Sequence, residues 1–148
     1  MVGSCKHSDI CTFSFHPVKP ITTGEGGLIT TNNKKIYERI LLLRSHGIKR
    51  KKEYWKYNVE FPGFNYRLSD INCALGISQL KKIKTFQRKR QILANSYYKL
   101  LNKYKNICVL PKYDNKYKGA WHLFLAHFNF KNLKTNKDNF IKFMLKNN

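Results

Sequence analysis

The sequence predicts an α/β chain, and three observations carry that reading. Two short runs of strand character, residues 12–15 and 27–31, flank a glycine-rich turn. Apolar residues recur at helical spacing over four later segments, and residues 121–130 alternate apolar with polar. The elements alternate along the chain, with no internal repeat.

The two strands bracket a loop whose TTGEGG stretch calls for positive φ at Gly24, Gly26 and Gly27. Asn33 is a fair N-cap for a first helix, with Ile36, Ile40 and Leu43 on one face. Residues 46–67 keep no period and contain Gly47, Pro62 and Gly63, so they read as a long loop. Ser69 caps a second helix carrying Ile71, Ala74, Leu75 and Ser78. A third starts near Phe86, with Leu93, Tyr97, Leu100 and Tyr104 at steps of four and three, and a break is expected near Thr85. Pro111 and the polar stretch to Gly119 suggest a crossing between lobes, after which 121–130 reads as a strand. Thr135 or Asn136 then caps a last amphipathic helix with Phe140, Ile141 and Met144.

Lysine usage marks the candidate site. The chain carries 29 Lys and Arg in 148 residues, yet between His7 and Asn33 only Lys19 is basic, set between Pro17 and Pro20 with one residue intervening on the first side. It lies on a loop at the end of a strand. An amine held there away from water would have a lowered pKa, and a neutral amine attacks carbonyls to form a Schiff base.

Other chemistries find little support. The chain is one domain's worth of length, 42% hydrophobic and 14% aromatic, enough for a packed core. It has no run of eighteen apolar residues and no secretory pattern at its start, so a soluble cytoplasmic protein is expected. Cys5, Cys11, Cys73 and Cys108 form no CxxC pair and show no zinc spacing, which makes reduced thiols the default. His122 and His127 fall on opposite faces of the expected strand, against a shared metal. No P-loop, dinucleotide or nucleophile-elbow motif occurs. The net charge of +21 suits polyanions, but the lysines are dispersed among many asparagines and isoleucines, as an A/T-rich genome would encode them. The densest cluster, residues 49–52 near Trp55 and Tyr57, suits a negatively charged nucleotide sugar or weak nonspecific RNA contact. No recognition motif accompanies the charge, so neither nucleic acid nor a membrane is expected as a partner.

Three blocks in order carry a resemblance: SFHPVKPITTGEGG at 14–27, LRSHG at 43–47 and PGFNYRLSDINCALGISQL at 62–80. With them the chain closely resembles the DegT/DnrJ/EryC1/StrS family of sugar-nucleotide aminotransferases. The resemblance implies fold type I, α/β with a mainly parallel sheet in a large domain and a smaller α+β lobe. It implies pyridoxal 5'-phosphate as cofactor, bound covalently by Lys19, with Ser14 donating to its phosphate. Asn65 would reach the phosphate of the neighbouring subunit in a homodimer with shared sites. His16, Thr22, Glu25 and Arg67 are motif positions without assigned roles. By local chemistry alone Ser14 is also an ordinary strand serine, and Asn65, after Gly63, also a turn residue.

The implied reaction moves an amino group from L-glutamate to C4 of a UDP-linked 4-keto-6-deoxy-hexose. Against the family, residues 1–110 fall in the C-terminal part of the large domain with its connecting helices, and 111–148 at the start of the small lobe. The chain thus reads as an internal fragment, inactive by itself, without the upstream segments that stack on the cofactor ring and face its pyridine nitrogen. Two alternatives differ in kind. A sugar 3-dehydratase of the same family carries histidine where Lys19 stands, so the lysine argues against it. A noncatalytic basic binding or assembly module would show no cofactor absorbance.

Overall fold

Strands β1 (Cys11–Ser14) and β2 (Gly27–Thr30) pair antiparallel in a computed structural model that describes residues 1–50, 52–53, 55–112, 116 and 119–147. Their register sets Cys11 opposite Thr30 and Ser14 opposite Gly27. Cys11 and Phe13 are half-buried while Thr12 and Ser14 are exposed, the period of two that a one-sided strand requires. The chain divides into two units, Met1–Lys82 and Ile83–Asn148.

In the first unit, α1 (Lys34–Arg44) starts at Asn33, whose side-chain oxygen accepts from Lys35 N at 2.9 Å and Ile36 N at 3.3 Å, the N-cap expected. Residues 46–67 were expected to be loop throughout and are not. They contain an antiparallel pair, β3 (Ile48–Arg50) with β4 (Tyr57–Val59). Three-residue strands are too short for alternation to show in the sequence, and tertiary contacts form them. Next comes α2 (Asp70–Leu101), capped by Ser69, whose hydroxyl accepts from Asn72 N at 3.3 Å.

The expected break near Thr85 is absent: α2 is one helix of 32 residues, beginning in the first unit and ending in the second. A single threonine costs roughly half a kcal/mol of helix propensity. Without glycine or proline beside it, that does not stop propagation.

In the second unit, the later part of α2 carries an aromatic cluster. Tyr97 stacks on Phe124 at 5.0 Å, and Tyr98 meets Trp121 and Phe124 edge-on at 6.0 and 5.3 Å. Trp121 Nε1 donates to Gln91 Oε1 at 2.8 Å, and Arg90 Nη1 donates to the Trp121 carbonyl at 3.0 Å. Of residues 121–130, expected to be one strand, only β6 (His127–Phe128) is strand, pairing antiparallel with β5 (Cys108–Val109). Trp121 has φ of 47°, which ends any extended run, and its ring turns back to α2. Helix α3 (Lys137–Lys146) follows Asn136, whose side chain accepts from Asn139 N at 2.9 Å. Phe140 packs its ring on Phe128 at 4.9 Å.

All strand pairs among the described residues are antiparallel. β1 and β2 are joined by a loop with no crossover helix, and adjacent strands so joined can only run in opposite directions. Lys51 of the basic cluster, and 113–115 and 117–118 of the expected crossing, lie outside the described residues. Among the described residues no helix is long and apolar enough to cross a membrane.

Candidate active site

The loop between β1 and β2 is closed by its own backbone. Phe15 N donates to Gly26 O at 2.9 Å, and the Phe15 carbonyl accepts from Thr23 N at 3.0 Å and Thr22 Oγ1 at 2.8 Å. Thr22 Oγ1 in turn accepts from Gly24 N at 2.9 Å, and Thr23 Oγ1 donates to Glu25 O at 2.7 Å. Gly24 and Gly26 take φ of 82° and 139°, as expected; Gly27 does not, being a β2 residue. A Cβ on Gly26 would lie 2.6 Å from Leu68 Cδ1, so this position is closed by packing as well as by conformation.

Lys19 stands on this loop, half-buried, between prolines that hold φ at positions 17 and 20. His16 links it to Ser14: His16 N donates to Ser14 Oγ at 3.3 Å, and the His16 carbonyl accepts from Lys19 N at 2.9 Å. The Ser14 side chain is exposed at the strand end. Because its oxygen accepts from His16, its own proton points elsewhere and can be donated outward. His16 Nε2 lies 3.9 Å from Glu25 Oε1 across the loop.

Asn65 belongs to a different local framework. It forms a lone antiparallel bridge with Ser45, beyond the end of α1, and its Oδ1 accepts from Arg67 Nη2 at 3.3 Å. The asparagine is exposed, and its amide nitrogen remains a donor. Ser14 and Lys19 therefore share one loop, and Asn65 is held by separate contacts.

Sequence reasoning missed the residues that fasten the loop. Thr23 is 2% exposed, the most buried polar residue described. Its carbonyl accepts from Asn72 Nδ2, and Asn72 Oδ1 accepts from Ser69 Oγ. Gly76 lies one turn further along α2, where a Cβ would come within 2.8 Å of the Thr23 methyl. Asn72 and Gly76 are four apart, hence on one helix face. That spacing was the available signal, but the face reads as apolar through Leu75 and Ile71.

The whole chain, residues 1–148, matches the profile of the DegT/DnrJ/EryC1/StrS aminotransferase family. The chain belongs to that family. Over 119 residues it is 47% identical to the UDP-4-amino-4,6-dideoxy-N-acetyl-β-L-altrosamine transaminase of Campylobacter jejuni serotype O:2, a match covering 80% of this chain and 31% of that protein. Its structure is similar to Helicobacter pylori PseC, an aminotransferase involved in the biosynthesis of pseudoaminic acid. The TM-score is 0.78 at 35% identity, over 86% of this chain and 34% of that one. A putative sugar aminotransferase of Streptococcus pneumoniae, solved in its pyridoxal-phosphate form, shares the fold at TM-score 0.73 and 23% identity, over 85% of this chain and 33% of that one. The fold is thus part of a fold type I α/β structure, with small antiparallel sheets in this portion. The chain spans about a third of the length of these relatives.

The donor set suits the cofactor of such enzymes. A primary amine on a stiffened loop meets the requirement of an aldehyde, and a hydroxyl with its proton turned outward, two bonds of the same chain of contacts away, meets that of a phosphate oxygen.

Proposed function

We propose that this chain carries the lysine-bearing part of a pyridoxal-phosphate-dependent sugar-nucleotide aminotransferase. The observation that carries the reading is Lys19, half-buried on a loop closed by backbone hydrogen bonds, inside the family motif. The amino group comes from L-glutamate and goes to C4 of a UDP-linked 4-keto-6-deoxy-hexose, in nucleotide-sugar, surface-polysaccharide or pseudaminic acid biosynthesis in the cytoplasm. The 47% identity to an altrosamine transaminase supports that substrate class.

Pyridoxal phosphate, when bound, supplies an electron sink that stabilises negative charge on the substrate carbon. Lys19 Nζ would hold the cofactor through its aldehyde and would serve as the base that moves a proton to and from the reacting carbon. Ser14 Oγ would donate to its phosphate. Asn65 Nδ2 would donate to the phosphate held by the neighbouring subunit of a homodimer, each site then being shared. Within the larger enzyme, residues 1–110 belong to the cofactor domain and its connecting helices, and 111–148 to the small lobe.

Borohydride reduction tests the reading in a protein of full family length that carries these 148 residues. Visible cofactor absorbance should disappear, with the pyridoxyl group recovered on the peptide containing Lys19. Recovery on any other lysine overturns the assignment.

A further inference from the structure

The segment ahead of β1 carries a thiol that the aminotransferase reading leaves unused. Residues 3–5 lie against β2: Thr30 Oγ1 donates to Gly3 O at 2.9 Å, and Asn32 Nδ2 donates to Ser4 O at 2.9 Å. A Cβ on Gly3 would lie 2.8 Å from the Phe13 ring, so the segment crosses the face of the hairpin that bears Phe13. Cys5 takes φ of 49°, a left-handed conformation uncommon for a residue with a side chain. Its Sγ donates to Thr30 O at 3.3 Å and lies 3.5 Å from Thr30 Oγ1.

Strand register brings a second thiol to the same place. Cys11 is directly opposite Thr30, and residues opposite each other in an antiparallel pair project from one face. Phe13, two residues along β1, shares that face, so it is the face that residues 3–5 cross. Phe15 N donates to Gly26 O, which makes 15 and 26 a hydrogen-bonded pair. Bonded and non-bonded pairs alternate along an antiparallel ladder, so four rungs back Cys11 and Thr30 are bonded too, about 5.5 Å apart at Cα. The Thr30 carbonyl then points across the ladder at Cys11, and Cys5 Sγ, held on that carbonyl, stands over the rung. Both thiols meet at one rung on one face. Access to them is unequal: a surface recess of about 390 Å³ is lined by Cys5, with Ser8, Asp9 and Asn32, and not by Cys11. Cys5 is the thiol that a small molecule reaches first.

We propose that Cys5 and Cys11 form a reversible dithiol–disulfide pair whose co-reactant is a small disulfide of the glutathione class. The Cys5 thiolate attacks one sulfur of the small disulfide, forming a mixed disulfide and releasing one thiolate. The Cys11 thiolate then attacks Cys5 Sγ, which closes the Cys5–Cys11 bond and releases the second. The two protein thiols give up two protons and two electrons, and the small disulfide, taking both, becomes two thiols. This pair stands apart from the reading of Lys19, since no part of it touches that loop's chemistry.

Equilibration of the 148-residue chain with graded mixtures of reduced and oxidised glutathione, followed by acid quenching and peptide mapping, tests the proposal. Tryptic cleavage after Lys6 separates the two cysteines, so the bond shows as two joined peptides. Cys5–Cys11 should be the main intramolecular disulfide. Its equilibrium constant should be at least about tenfold larger in the native chain than in denaturing urea, because the fold holds the two sulfurs at one rung. An equal or smaller constant in the native chain, or a main disulfide through Cys73 or Cys108, overturns the proposal. Cys11→Ser should accumulate Cys5 as the mixed disulfide with glutathione, whereas Cys5→Ser should leave Cys11 unmodified over the same time. Equal modification of the two variants overturns the order of attack. Should either variant not fold, the comparison of native chain with urea needs no substitution and decides the matter.

Discussion

The side-chain amide of Asn72, on the first turn of α2, donates to the main-chain carbonyl of Thr23, the buried residue on the far side of the loop that bears Lys19. Loop position is therefore set from a helix as well as from its own closing bonds. Substituting Asn72→Ala leaves a buried carbonyl without this donor and should cost about 1–3 kcal/mol. Thermal denaturation reads the loss, and borohydride trapping on Lys19 should become slower or less selective in the same variant. An unchanged melting temperature would mean that water replaces the amide at no cost.

At Gly76 two effects oppose each other. In an open helix position, Gly→Ala gains up to about 1 kcal/mol of propensity. Here the new methyl would sit 2.8 Å from the branched Thr23 side chain, which is locked by its bond to Glu25 O. Overpacking of that kind costs about 1–3 kcal/mol. Gly76→Ala should therefore destabilise the chain, and pairing it with Thr23→Ser, which removes the methyl and keeps the hydroxyl, should recover most of the loss. Denaturant midpoints of the four proteins check both statements.

On the proposed role of Lys19, Lys19→Arg keeps the positive charge but removes the nucleophilic amine, because a guanidinium stays protonated. Amino transfer by a full-length protein carrying the change should vanish while its circular dichroism stays the same. If Asn65 serves the neighbouring site, mixing inactive Lys19→Ala subunits with inactive Asn65→Ala subunits should restore activity, since some sites then draw both intact residues from different chains. Heterodimers that form yet stay inactive would count against the shared site.

The thiols should differ in reactivity. Cys108 is 3% exposed, and its burial pushes the thiol pKa up, so little thiolate is available near neutrality. Cys73 is exposed on α2. Ellman's reagent at pH 8 should modify Cys73 well before Cys108, with Cys108 following at the rate of unfolding. Because the folded pKa is raised, the unfolded chain loses this proton first. The stability that neutral Cys108 lends is full below about pH 8.5 and falls as pH rises beyond it.

What the sequence revealed of this molecule was chiefly local. Asn33, Ser69 and Asn136 were legible as caps because a side-chain oxygen bonds an amide only two or three residues away. Lys19 and Ser14 were singled out as parts of one contiguous motif, and the structure links them through His16. The β3–β4 pair was not, since three-residue strands leave no period to read. The continuous α2 was misjudged at Thr85, where weak local preference yields to a helix already under way. Thr23, Asn72 and Gly76 went unnoticed because polar and small residues signal nothing until their partners are known.

The Thr23–Asn72 bond spans 49 residues of chain. Closing a loop of that size costs roughly 3–4 kcal/mol of entropy, which the local bonds around Phe15 do not have to meet. Two clocks therefore run in folding: the turn from Phe15 to Gly26 can close within its own neighbourhood, whereas its anchor waits for α2 to arrive. During synthesis Lys19 leaves the ribosome more than fifty residues ahead of the residue that fastens its loop. For that interval it is an ordinary lysine on an unmoored turn, and its special surroundings are assembled only as the helix is made.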